Sequence, residues 1–252
     1  MALPADWFAQ LQAASQPKPA QSVPPAGHES GGDFIRGSIN VPLAPDGIAQ
    51  AVQLGKQFAA KGGLSKIVAS DLVRAQQTAQ AISHFTGAQI ATSPTLHPWH
   101  LGEFEGQPTA KVIDKIHEFA QRKQDLPISG QSAQSSAPGE SFNSFKARTL
   151  GPGSAIQAAL AEHRVNPDAK IALVTHLRDV KLTDAWVKAG AQPSLAIHTK
   201  TMVTPGDEPA SVHRLFEDNG TVRLEPVNMR SSKQLVGGVY IARHGRTSMN
   251  GK

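Results

Sequence analysis

Two hydrophobic periodicities alternate along most of the chain. In "DGIAQAVQLGKQFAAKG", residues 46–62, apolar positions recur near helical spacing between an acidic start and a terminal glycine, which predicts a helix. The short apolar run "SKIVAS", 65–70, predicts a buried strand. "DLVRAQQTAQAISHFTG", 71–87, predicts a second helix that stops at Gly87. "SFNSFKARTLGPGSAIQAALAEHR", 141–164, reads as helical with a Gly-Pro-Gly interruption. "KIALVTH", 170–176, is a clear buried strand, and "RDVKLTDAWVKAG", 178–190, is the helix after it. Three more strands are predicted over "AIHTKTMV" (196–203), "SVHRLFE" (211–217) and "TVRLEPV" (221–227), and a last one over "GGVYIARH" (237–244). Strands alternating with helices predict an α/β fold, a mostly parallel sheet with helices on both faces. No internal repeat is present.

The stretches without periodicity set the boundaries. Residues 12–32 are rich in Ala, Gln, Ser, Pro and Gly, so residues 1–32 read as a flexible arm and 33–252 as the domain. Residues 92–140 are irregular and rich in Pro, Gly and Ser, with one helix near 109–123; they read as a lid or insertion. Residues 228–237 read as a joining linker.

The chain's 252 residues suit one large α/β domain. No run of 18 apolar residues occurs and the start has no basic, then apolar, leader pattern, so neither a membrane span nor a secretory signal is expected. The expected compartment is the cytoplasm. Cysteine is absent, which excludes disulfides, cysteine nucleophiles and zinc–thiolate sites. The net charge of +5 points to a small anionic partner. Nucleic acid is not expected, because the basic residues are scattered and aromatics are only 5%.

In sheets of this kind ligands bind beyond the carboxyl ends of the strands. Four segments end in residues that suit one phosphate pocket. "VYIARHG" delivers Arg243 and His244, "KIVASDLVRAQQTA" delivers Arg74, "IALVTHLRD" delivers His176, and "FIRGSINVPLAPDG" delivers Arg36. Each alone has an ordinary explanation. An Arg-His-Gly tripeptide arises by chance, and a single buried histidine is more often structural than catalytic. Their recurrence at strand ends and helix starts is what chance explains poorly.

These segments resemble the histidine phosphatase superfamily, the phosphoglycerate-mutase-like fold. "RHGRTSMN" resembles R-H-G-x-T-x-x-N, "RGSINVPLAPDGIAQA" the R-G loop that follows it, and "ASDLVRAQQTA" the S-D-L-x-R-A-x-x-T-A segment. "LGEFEG", "PGESFNSFKAR" and "LVTHLRD" resemble three further family segments. The resemblance implies a phosphohistidine formed on His244, with Arg243, Arg74 and His176 holding the phosphoryl oxygens. It implies supporting contacts from Arg36 and Asn250, and neither metal nor cofactor. In the family the R-H-G segment comes first, whereas here it follows everything else. The chain therefore resembles a circular permutant whose R-H-G motif is C-terminal. A truncated tandem copy is the alternative, but residues 33–236 hold no second R-H-G.

One departure stands out. Many relatives carry a Glu general acid where "LHPWHLGEFEG" has Pro98. His100 or Glu103 is the expected replacement; His100 is preferred because an unperturbed imidazole titrates near neutrality. The expected function is metal-independent hydrolysis of a small phosphomonoester. The alternatives are a catalytically weak binding or structural module tethered through the arm, and a phosphoglycerate-type mutase.

Overall fold

The computed structural model describes residues 34–121, 125–130, 138–192 and 208–247. The arm, the strand expected over 196–203 and Asn250 lie outside the described residues. The elements run α1 (Pro45–Ala60), β1 (Lys66–Ala69), α2 (Val73–Thr86), β2 (Ile90–Thr92), α3 (Thr109–Gln121), α4 (Phe142–Leu150), α5 (Ala155–Val165), β3 (Lys170–Thr175), α6 (Leu177–Lys188), β4 (Val212–Asp218), β5 (Thr221–Pro226) and β6 (Gly238–Arg243).

The strands form one six-stranded sheet in the order β2-β1-β3-β6-β4-β5. β2, β1, β3 and β6 pair in parallel; β4 pairs antiparallel with both β6 and β5, so it alone runs against the others. The β4–β5 hairpin turns at Asn219 (φ 48°) and Gly220 (φ 75°). Two successive positive φ values suit the twist of a tight hairpin.

The continuous apolar runs of β3 and β6 reflect burial on both faces. Ile171 and Leu173 of β3, with Val239 and Ile241 of β6, pack on one side against Phe145, Ile156, Leu160 and Trp186 of α4–α6. Ala172, Val174, Tyr240 and Ala242 face the other side, against Leu54 and Phe58 of α1 and Ala79 and Ile82 of α2. The period-two alternation therefore separates two apolar surfaces rather than core from solvent.

The structure adds detail to two stretches. β2 stands where the irregular stretch was expected to begin; it is three residues long, half-buried to exposed, and too short to register as a period. The described part of 92–140 contributes residues to the core. Leu96, Trp99 and Leu101 are fully buried, and Trp99 stacks on Phe145 with centroids 5.6 Å apart. The joining segment 228–237 is similarly anchored: Lys61 donates to the carbonyls of Ser231 and Lys233, and Met229 and Leu235 are buried. Among the described residues no helix is long and apolar enough to cross a membrane.

Candidate active site

Because β1, β3 and β6 are parallel neighbours, their carboxyl ends meet at one edge of the sheet. β1 delivers Ser70 and Asp71, then α2 begins and places Arg74 in its first turn. β3 delivers His176, the residue just before α6. β6 ends on Arg243, followed by His244. The backbone N–H of His244 donates to the Thr175 carbonyl at 3.1 Å, which fixes the two strand ends together.

His244 is 2% exposed, and its Nδ1 lies 2.5 Å from the Gly245 carbonyl oxygen. A carbonyl only accepts, so Nδ1 carries the proton and Nε2 keeps the lone pair. The His176 ring stands 5.1 Å from the His244 ring, centroid to centroid, at 60°. His176 Nε2 is 2.8 Å from Ser70 Oγ. Arg74 is buried and donates to the carbonyls of Ile39 (2.7 Å) and Gly37 (2.8 Å), so it shapes the loop carrying Arg36. Arg36 in turn reaches Thr247 Oγ1 at 3.4 Å.

The turn after His244 sits directly on α1. Ala44 N–H donates to the Arg246 carbonyl at 3.0 Å, and a Cβ on Gly47 would lie 1.9 Å from that carbonyl oxygen. A Cβ on Gly245 would lie 2.4 Å from the Gly47 carbonyl. The two glycines are what let the R-H-G turn and the helix start touch.

Burial and positive charge act together here. The His244 pKa lies well below the ordinary imidazole value, through burial first and then Arg74, Arg36 and Arg243. His176 is pushed the same way by burial, then Arg74 and His244. Arg74 falls to about 9, from burial and then the charge of Arg36; Glu105, Asp179 and Asp71 oppose the fall without reversing it. Both rings are therefore neutral at pH 7, and the arginines supply the positive field. Among the described residues no group of three or more His, Cys, Asp or Glu side chains is placed to hold a metal ion. A tetrahedral oxyanion suits such a pocket. Orthophosphate or orthovanadate is expected to raise the melting temperature, by up to about 2.7 kcal/mol of stability at a hundredfold excess over Kd. Arg74→Ala should flatten that response in a thermal-shift titration.

The structure brings together His244, Arg243, Arg74, His176 and Arg36. It does not bring Glu103, which lies on an exposed turn with its carboxylate accepting from Ser129 Oγ at 2.6 Å. His100 stacks on His97, centroids 4.4 Å apart, and burial followed by the charge of His97 lowers its pKa to about 4. At that value the ring is neutral at pH 7, which weighs against the part of proton donor expected for His100. The residue overlooked nearby is Glu105. It is 2% exposed and accepts from Ser38 N–H (2.9 Å), Ser38 Oγ (2.7 Å) and Leu101 N–H (2.9 Å). It thus braces the Arg36 loop, and Gly37 (φ 47°) is required because a Cβ there would meet Glu105 Oε1 at 2.0 Å. Ser70, Asp71 and Thr78 were also overlooked; the S-D-L-x-R-A-x-x-T-A segment was their signal. Thr78 Oγ1 accepts from the Gly245 N–H at 3.3 Å.

A mixed α/β sheet thus gathers two histidines and three arginines beyond the carboxyl ends of its strands, a cationic arrangement. Comparison with known families makes the assignment specific: residues 28–204 match the histidine phosphatase superfamily (branch 1), and the chain belongs to it. The match ends before β6. A probable phosphoglycerate mutase, GpmB, of Yersinia pestis (strain Pestoides F) is 31% identical over 114 residues, which is 45% of this chain and 51% of that protein. The chain thus spans about half the length of the curated relatives it matches. Among solved structures, the α-ribazole phosphatase of Shigella flexneri aligns with TM-score 0.55 and 19% identity, covering 81% of this chain and 91% of that one. A mycobacterial glucosyl-3-phosphoglycerate phosphatase with inorganic phosphate aligns with TM-score 0.55 and 20% identity, covering 80% and 93%. These likenesses place the fold.

Proposed function

We propose that the chain hydrolyses small phosphomonoesters through a phosphohistidine on His244. The observation that carries this reading is the fixed tautomer of His244: Nδ1–H is committed to the Gly245 carbonyl, which leaves Nε2 to act as nucleophile. In the first step Nε2 bonds to phosphorus, the P–O ester bond breaks, and the leaving oxygen takes a proton. In the second, water attacks phosphorus, the P–N bond breaks and orthophosphate departs. Arg243, Arg74 and His176 hold the phosphoryl oxygens, with support from Arg36 and Asn250. Donors positioned for the developing charge are worth roughly 10²–10³ in rate each. The depressed pKa of His244 keeps its lone pair available below pH 6.5.

A mutase would pass the phosphoryl group to a second hydroxyl instead of water. The name of the Yersinia relative favours that reading over half its length, but the chain carries no readable counterpart of the additional substrate-binding block that such mutases have. The test is turnover of p-nitrophenyl phosphate with and without EDTA. Equal turnover is expected; loss that is restored by a divalent cation would overturn metal independence.

We also infer that the motif order is a circular permutation. β6 lies between β3 and β4 of the same chain rather than at an edge. Thr247 lies beside Leu43 and Arg36, so the R-H-G segment adjoins the loop that follows it in the family.

A further inference from the structure

We propose that His97, oriented by Asp71, transfers the proton to the leaving group and replaces the glutamate lost at Pro98. This rests on the phosphohistidine reading above and adds to it the residue that the sequence left unidentified.

The backbone around His97 is tied to the nucleophile's own support. The Leu96 carbonyl accepts from Thr175 Oγ1 at 3.0 Å, and the Thr175 carbonyl accepts the His244 N–H at 3.1 Å. His97 is thus one residue away from the strand end that holds His244. Its carbonyl is pinned by Arg148 Nη1 at 2.7 Å.

The side chain is arranged for proton transfer. His97 Nδ1 lies 2.7 Å from Asp71 Oδ1. A carboxylate only accepts, so Nδ1 carries a proton and Nε2 is the exchanging nitrogen. The ring is 12% exposed, and Nε2 is buried with no hydrogen-bond partner among the described residues. Burying such an atom unpaired costs free energy unless a ligand completes it. Asp71 also joins this pair to the phosphate pocket: it accepts from Ser70 Oγ at 3.3 Å, and that hydroxyl meets His176 Nε2 at 2.8 Å. One polar chain therefore runs from His97 through Asp71 and Ser70 to His176 and so to the edge of the His244 ring. The charge of His97 is among those felt by His176, which places the two rings within electrostatic range.

The proton balance closes. As His244 Nε2 bonds to phosphorus and the P–O bond breaks, the His97 Nε2–H proton passes to the leaving oxygen, giving the alcohol and neutral His97. In the second step water bonds to phosphorus, its proton returns to His97 Nε2, and the P–N bond breaks. His97 ends protonated, as it began. Asp71 touches no reacting atom; it is a positioning residue that fixes the ring and its tautomer.

The experiment compares His97→Gln and Asp71→Asn with the wild type on a series of substituted phenyl phosphates, whose leaving groups differ in basicity but little in shape. In His97→Gln, kcat/KM for phenyl phosphate should fall about 10²-fold or more, and for p-nitrophenyl phosphate less than about 10-fold. The dependence of rate on leaving-group pKa should steepen. Asp71→Asn should steepen it in the same direction by less; its carboxylate is 43% exposed, so this variant keeps the test open if His97→Gln does not fold. A uniform fall across the series, or none, overturns the assignment, because a merely structural pair does not sense the leaving group. His244→Ala separates the two claims. If it abolishes turnover while the slope is unchanged in His97→Gln, only the proton donor is wrong; if it retains turnover, the phosphohistidine reading itself fails.

Discussion

His244→Ala is expected to abolish turnover, by at least about 10³-fold, in a protein that remains folded. On the proposed reading His244 has no understudy. His176 is the only other imidazole described in contact with its ring, and its Nε2 is engaged with Ser70. Stability should change little, by about 1–2 kcal/mol, since the substitution removes one hydrogen bond and one small buried ring. That change carries a pH signature. His244 has a folded pKa well below the unfolded value of 6.5. Below pH 6.5 the unfolded chain takes up a proton that the native ring refuses, so the wild type loses about 1.4 kcal/mol per pH unit for this ring until its folded pKa is reached. The alanine variant lacks this loss, while His176 continues to contribute its own. The stability gap between wild type and variant should therefore narrow in the wild type's disfavour as pH falls from 7 to 5. Urea titrations at the two pH values measure it, and a pH-independent gap would contradict the buried neutral ring.

Deleting residues 237–252 should destroy the fold as well as the activity. In most parallel sheets a terminal strand can be trimmed from an edge, but β6 is interior. It pairs along its length with β3 and over Val239–Ala242 with β4. Val239, Tyr240, Ile241 and Ala242 are all fully buried. Burying each large apolar side chain is worth about 1.5–3 kcal/mol, so losing three with their ladder hydrogen bonds removes about as much as a domain's whole net stability of roughly 5–15 kcal/mol. The deletion also opens two apolar strand edges, β3 and β4, to aggregation. Insoluble or molten protein is the expected outcome. Removing residues 1–28, which carry no core-forming pattern, should leave solubility and turnover nearly intact. A cooperative melt from the C-terminal deletion together with collapse of the N-terminal one would contradict this account of the sheet.

The legible parts of this protein were those whose signal is local. The apolar runs of β3 and β6 and the periodic helices α1, α2 and α6 are written in consecutive residues, and they fall where the periodicity puts them. The candidate site residues stand out only through their motifs: nothing in spacing alone brings Arg74 to His244, but parallel strands with one common carboxyl edge do. What escaped depends on tertiary geometry. The three-residue β2 gains its identity only by pairing with β1. Glu103 and Glu105 look alike in the sequence. A 3-10 turn over Gly102–Phe104, entered through Gly102 at φ 50°, sends the first to the surface and the second inward to the Arg36 loop. His97 was hidden for a similar reason. Its partner Asp71 lies 26 residues earlier, at the end of another strand, and only the β1 terminus brings the two together.

The most direct test is to trap the covalent intermediate. The protein is mixed with phosphate-labelled p-nitrophenyl phosphate, quenched in alkali to preserve a phosphorus–nitrogen bond, and digested for peptide mapping. Label on the peptide carrying His244, absent from His244→Ala, is the predicted result. Label on any other residue, or continued turnover with no labelled histidine in either protein, would contradict it.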